Sequence, residues 1–181
     1  ALHLGNVGMS LRGFTRWTFT ARLVALAYGG LALTTLFGLA LAVNRIWPFL
    51  PGELFPILHA HVQLALLGWV APMILAVTAR VYPMFFLAPA PRRGHSFLQL
   101  WGLAAGVPAV VLGLLGVPAL LVAGALAVVA AAGAHAAWMC AMAWGRKRSS
   151  LDWGLRCVLT ASVFLAPAAV LKLLLELGAR R

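Results

Sequence analysis

Apolar residues run in long blocks separated by short clusters of charge, proline and glycine, and each block is long enough to cross a bilayer. The first runs over about 22–43, dominated by Leu, Ala and Gly, and ends at Asn44, Arg45 and Trp47, a membrane-interface signature. Pro48, Pro51 and Gly52 then break the chain, Glu53 precedes the next apolar run, and Pro56 suits the first turn of a second span over about 56–86. Pro89, Pro91, Arg92, Arg93 and Gly94 form a positively charged breaker before a third span over about 97–115. Gly116, Val117 and Pro118 predict a tight turn into an Ala-rich fourth span over 118–144, which Gly145, Arg146, Lys147, Arg148, Ser149 and Ser150 end. The fifth covers about 153–177 and closes on Arg180 and Arg181. The pattern predicts an all-α fold: one polytopic transmembrane bundle of about five helices over residues 1–181.

Composition sharpens this reading. The chain is 64% hydrophobic and 9% charged, with a mean hydropathy of +0.99, far from the balance of water-soluble domains. Five spans of about 20 residues and their loops use nearly the whole length, leaving no room for a separate soluble domain. A net charge of +11 would suggest nucleic acid in a soluble chain. Here the charges sit between the apolar runs, a pattern that sets orientation in a bilayer, so lipid is the expected partner and nucleic acid is not. Arg12, Arg16, Arg22, Arg80, Arg92, Arg93, Arg146, Lys147, Arg148 and Arg156 fall on one side, against Arg45, Arg180 and Arg181 on the other. The positive-inside rule then places the N-terminus in the cytoplasm, with the Pro51 loop and the C-terminus outside.

The first twenty residues lack the apolar core of a cleavable signal. Ala1 fits a mature end after methionine removal or the cut edge of a longer polypeptide, so the domain is read as complete or as part of a longer chain. Cys140 and Cys157 are too few and too isolated for a disulfide framework or a cysteine metal cluster, and both are expected to be small core residues. Gly102 with Gly106, and the ladder Gly30, Thr34, Gly38, are small-residue patterns that permit close helix contact.

Candidate chemistry concentrates at His59-Ala60-His61, followed by Gly68-Trp69. Imidazoles near the start of a membrane helix are costly unless something uses them, and neutral imidazole ligates haem iron, copper or zinc. Residues two apart on a regular helix point about 200° from each other, so both rings can close on one ion only from a locally extended start. Below His61, helical steps give Ala65, Gly68, Pro72, Ala76 and Ala79, a groove of small side chains that could take a flat macrocycle or a neighbouring helix, the latter favoured for the face alone. Below His59 come Gln63, Leu66 and Met73, read as bundle interior. His135, about 17 residues into the fourth span, lies roughly 18 Å in depth from His61, too far to share one iron with it. A hydrogen bond to a backbone carbonyl is its expected role. His3 and His95 lie in polar stretches and are expected to be solvated. Arg80 is expected to snorkel to headgroups, with pairing to a haem propionate or Glu176 as the alternative. Lys172 and Glu176 have the spacing of a local helical pair.

His59-Ala60-His61, Gly68-Trp69 and Arg80-Val81-Tyr82-Pro83-Met84-Phe85 together resemble a segment of polytopic bacterial membrane proteins related to haem-copper oxidase subunit I and to the NnrS-type proteins. The resemblance covers Pro56 to Phe86. It implies a bacterial inner-membrane, multi-pass protein in which His61 or His59 ligates haem b, with Gly68 and Trp69 beside the cofactor and copper as the alternative metal. The oxidase family has about twelve spans, a second haem ligand on a distant helix and further copper-binding histidines, none of which this chain carries. The second ligand is then expected from a longer chain, a homodimer or a larger membrane complex.

The function expected is a haem- or copper-binding membrane protein acting in electron transfer, nitric-oxide handling or oxidase assembly. The alternative is a non-catalytic scaffold or assembly subunit, with a small transporter behind it. Few ionisable groups lie within the spans and no pair of interrupted half-helices stands out, which disfavours transport. Glu53, Asp152 and Glu176 are too scattered for a hydrolytic pair.

Overall fold

In a computed structural model, residues 5–6, 9, 17–50, 53–88, 93–147 and 149–178 are described, the side chains of 176 and 177 excepted. Five long helices account for nearly all of them: α1 (Phe19–Asn44), α2 (Leu54–Phe86), α3 (Arg93–Leu114), α4 (Pro118–Trp144) and α5 (Trp153–Gly178). No strand occurs among the described residues. Each helix is long and apolar enough to cross a membrane, and helices suit that solvent because they satisfy their backbone groups internally. The chain is a multi-pass, all-α membrane protein. Among the breaker residues and flanking charges, Pro51, Gly52, Pro89, Pro91, Arg92, Arg12, Arg16, Arg148, Arg180 and Arg181 lie outside the described residues, as does His3.

The helix ends follow local chemistry. Thr18 caps α1 by accepting from the Ala21 amide at 3.2 Å. At the other end Asn44, buried, turns the chain: its Oδ1 accepts from the amides of Phe49 and Leu50 at 2.8 and 2.7 Å. Thus the residue read as an interface marker is a structural hinge of the α1–α2 connection. Leu87 takes the left-handed conformation (φ 50°) that ends α2, and the Ala88 amide donates back to the Pro83 carbonyl at 3.0 Å. Asp152 caps α5 by accepting from the Leu155 amide at 2.9 Å.

Packing depends on missing side chains. A Cβ on Gly30 of α1 would lie 2.0 Å from the Gly68 carbonyl oxygen of α2. Along α3 and α4, Gly102 faces Ala127 and Ala131, Gly106 faces Gly124 and Ala127, and Gly113 faces Leu121, each with no room for a methyl group. These contacts fix an antiparallel register, and α4 carries the largest share of buried residues. Both small-residue patterns read from the sequence are therefore helix contacts. The fifth helix packs on α4 and leaves the whole of its apolar window unburied within the chain.

One departure from regular geometry was not legible in the sequence pattern. Residues Leu64–Val70 form a π-helical stretch inside α2, where the Ala71 amide bonds to the Leu66 carbonyl five residues back. Pro72 follows directly, and an α-helix here would lose one bond and drive the proline ring into the Gly68 carbonyl. The wider turn relieves that clash and leaves Gly68 against Gly30. Cys157 is exposed and Cys140 half-buried, so the expectation that both are core residues is corrected.

Gly30→Ala is expected to destabilise the protein by about 2 kcal/mol, because the new methyl group meets backbone that cannot move aside. Gly29→Ala, whose Cβ would meet nothing within 4 Å, should be neutral or stabilising by up to about 1 kcal/mol. Thermal unfolding of the two variants in the same detergent measures the difference.

Candidate functional site

The histidine pair sits on α2 one turn before the π-helical stretch, at the end of the bundle where α1 and α2 are joined. Its two rings differ in environment, as the 200° rule requires. His59 is half-buried, and Gln63, buried one turn on, donates from Nε2 to His59 Nε2 at 2.9 Å. Phe55 packs beside the ring at 6.3 Å, tilted by 45°.

His61 turns to α1. Its ring lies parallel to Phe37, 6.5 Å between centroids and 3° between planes. It fills the notch at Gly38, where a Cβ would come within 3.1 Å of His61 Cε1. Its Nδ1 is buried and has no hydrogen-bonding partner among the described residues. One turn along the same face of α1, the Thr34 hydroxyl oxygen is likewise buried and unpartnered. Gly30, Thr34 and Gly38 therefore do two jobs: Gly30 receives the α2 backbone and Gly38 receives the imidazole.

The groove of small residues below His61 is occupied by protein. Gly68, Pro72, Ala76 and Ala79 are all buried, Gly68 directly against Gly30. The favoured reading of that face, helix packing, is thus what the helices adopt, and a macrocycle does not fit against Gly68 within this chain. Trp69 is 36% exposed. A cavity of 600 Å³ lies at the same end, bordered by Phe37, Leu50, Glu53, Pro56, Ile57, Leu114, Leu115 and Gly116. It adjoins the stack, because Phe37 belongs to both. No group of three or more His, Cys, Asp or Glu side chains that could hold a metal occurs among the described residues. Neutral imidazole nitrogens are able to ligate a metal, and no further His, Cys, Asp or Glu among the described residues joins them in a group of three.

A second polar cluster, which sequence reasoning missed, lies in the α3–α4 seam towards its arginine-rich end. Gln99 is fully buried with both amide atoms unpartnered among the described residues, and His135 is 2% exposed with its Nδ1 likewise unpartnered among them. The glycine register puts Gln99, one turn beyond Gly102, at the level of His135, one turn beyond Ala131. His95 stands one further turn out on the Gln99 face, its Nδ1 also buried and unpartnered. His95 is therefore half-buried on α3 rather than solvated. His135 Nδ1 has no hydrogen-bond partner among the described residues, and the ring lies edge-on to Trp138 at 5.8 Å. The signal was available: Gln99 is the one amide in the middle of an otherwise apolar span, and a search for imidazoles passes over it.

Arg80 is exposed and lines a crevice at the arginine-rich end, in keeping with a side chain reaching for headgroups. The Glu176 side chain lies outside the described residues. No family model matches this sequence, and no match was found among curated proteins or solved structures.

Gln63→Met keeps the bulk but removes the donor to His59. The loss of one partly buried hydrogen bond is expected to cost about 1 kcal/mol, read as a lowered unfolding midpoint. An unchanged midpoint would show that Gln63 does not hold the ring.

Proposed function

We propose that this chain is a metal-binding membrane protein in which His61 ligates a haem b or copper centre at the end of the bundle where α1 meets α2. His59, oriented by Gln63, supports that site. The observation carrying the proposal is the pairing of a fixed ring with a free atom. Phe37 and Gly38 hold the His61 imidazole, while its buried Nδ1 finds no partner among the described residues. Uncompensated burial of a ring nitrogen costs on the order of 1–3 kcal/mol, and an imidazole whose nitrogen is kept at that cost within a membrane span is a functional candidate. The resemblance of Pro56–Phe86 to haem-copper oxidase subunit I and NnrS-type proteins supports the same reading and suggests a bacterial inner membrane.

Since the chain offers one well-placed ligand and its own groove is filled, a second copy or a partner subunit supplies the remaining coordination. Trp69 and the α2 surface around it would then border the cofactor from the lipid-facing side. A haem contributes one-electron chemistry when bound, and electron transfer, nitric-oxide handling or assembly of an oxidase are the roles that fit.

A second reading is favoured by the contact between Gly30 and Gly68. Backbones this close suit a rigid, non-catalytic scaffold or assembly subunit. The readings separate on the purified protein. Under the metal proposal, wild type shows either a Soret band or copper bound in a fixed ratio to the chain, and His61→Ala loses it. Gly38→Val, which drives a side chain into the ring, should weaken binding by roughly tenfold or more. Colourless protein free of copper and iron after purification from metal-replete cells would instead establish the scaffold.

A further inference from the structure

We propose that the arginine-rich end of the bundle carries a binding site for one anionic phospholipid, its phosphate held by Arg22 and Arg93 and its chains laid over Phe97, Leu100 and Trp101. A crevice of 560 Å³ opens there between the start of α1 and the start of α3, lined by Trp17, Phe19, Arg22, Arg93, Ser96 and Phe97, with Leu100 and Trp101 deeper along α3. A second crevice, of 400 Å³, shares Phe19 and Ser96 with it and brings Arg80 and Thr18 to the other flank. Three arginines from three helices therefore border two neighbouring crevices.

Charge identifies the headgroup. The chain's three acidic residues are Glu53, Asp152 and Glu176. Glu53 precedes α2 at the opposite end, Glu176 lies near the far end of α5, and Asp152 caps the α5 amide of Leu155. None lines either crevice. Arg22 and Arg93 form no salt bridge with any described carboxylate, and both are exposed. Guanidinium groups pair with phosphate through a planar fork of donors, so a phosphodiester is the matching anion.

The walls identify the rest of the ligand. Trp17, Phe97 and Trp101 are 47%, 61% and 53% exposed, and Phe97 and Trp101 form a tilted pair 6.3 Å apart along α3. Arg22 and Arg93 stand near the helix starts, Trp17 flanks them just before α1, and Phe97, Leu100 and Trp101 run inward along α3. That is the layout of an amphiphile, polar at the bilayer edge and apolar below it. A free phosphate would use the arginines and leave the apolar wall uncovered. The site is also remote from the histidine pair, which lies at the opposite end of the bundle, so it stands independently of the metal reading.

Native mass spectrometry of the full chain released from detergent, with short-chain phosphatidylglycerol as the probe, tests this. One lipid should bind per chain, and phosphatidylcholine of the same chain length should bind at least tenfold more weakly. Each arginine near a membrane surface contributes roughly fivefold to such binding, so Arg22→Gln with Arg93→Gln together should weaken it by roughly 25-fold. Arg45→Gln removes the same charge at the other end and should leave binding unchanged, and millimolar inorganic phosphate should not compete. Thermal unfolding checks that each variant is folded. Equal binding of the two lipids, retained affinity in the double variant, an equal loss in Arg45→Gln, or displacement by phosphate alone would each overturn the proposal.

Discussion

Helices in lipid gain no hydrophobic attraction for one another, so this bundle depends on backbones coming close where side chains are absent. The contact of Gly30 with the Gly68 carbonyl is the one from which the site follows. It fixes the height and rotation of α2 against α1. With that register set, His61 meets Gly38 and Phe37 two turns away, and its ring is held without any side-chain hydrogen bond to its Nδ1 among the described residues. Glycines along α3 and α4 play the same part for the other half of the molecule, and they bring Gln99 and His135 to one level.

The π-helical stretch at Leu64–Val70 links the two features. Pro72 disfavours a regular turn before it, and the extra residue taken up by the wider turn rotates the later part of α2 relative to its first turns. His59, His61 and Gln63 lie before that rotation, and the packed residues Pro72, Ala76 and Ala79 lie after it. The histidine-bearing and packing faces can therefore differ on one helix, which explains how an imidazole reaches α1 while the groove beneath it is filled.

The spans were legible because length and apolarity alone identify a membrane helix, and the boundaries at Pro118–Trp144 follow directly from Pro118 and Gly145. The small-residue ladders were legible as contacts for the same reason: only close approach makes use of them. Counting faces on an ideal helix could not reveal the π-helical turn, since its cause, a proline acting on a carbonyl four residues earlier, admits several responses. Nor could it reveal which of two uses the Ala65–Ala79 groove has, because a macrocycle and a helix make the same demand for small residues. His95 was misplaced because its neighbours Arg93 and Gly94 read as loop, whereas the helix begins at Arg93 and takes in His95, which is half-buried. Gln99 escaped notice because an amide carries no charge and no familiar spacing.

The central claim is that the His61 ring nitrogen ligates a metal. Pulsed electron paramagnetic resonance on the ferric or copper(II) protein in lipid bilayers reads this directly through the coupling of imidazole nitrogen to the unpaired electron. A histidine nitrogen coupling is predicted in wild type, retained in His135→Ala and absent in His61→Ala. The same coupling surviving in His61→Ala, or no histidine coupling at all in wild type, would contradict it.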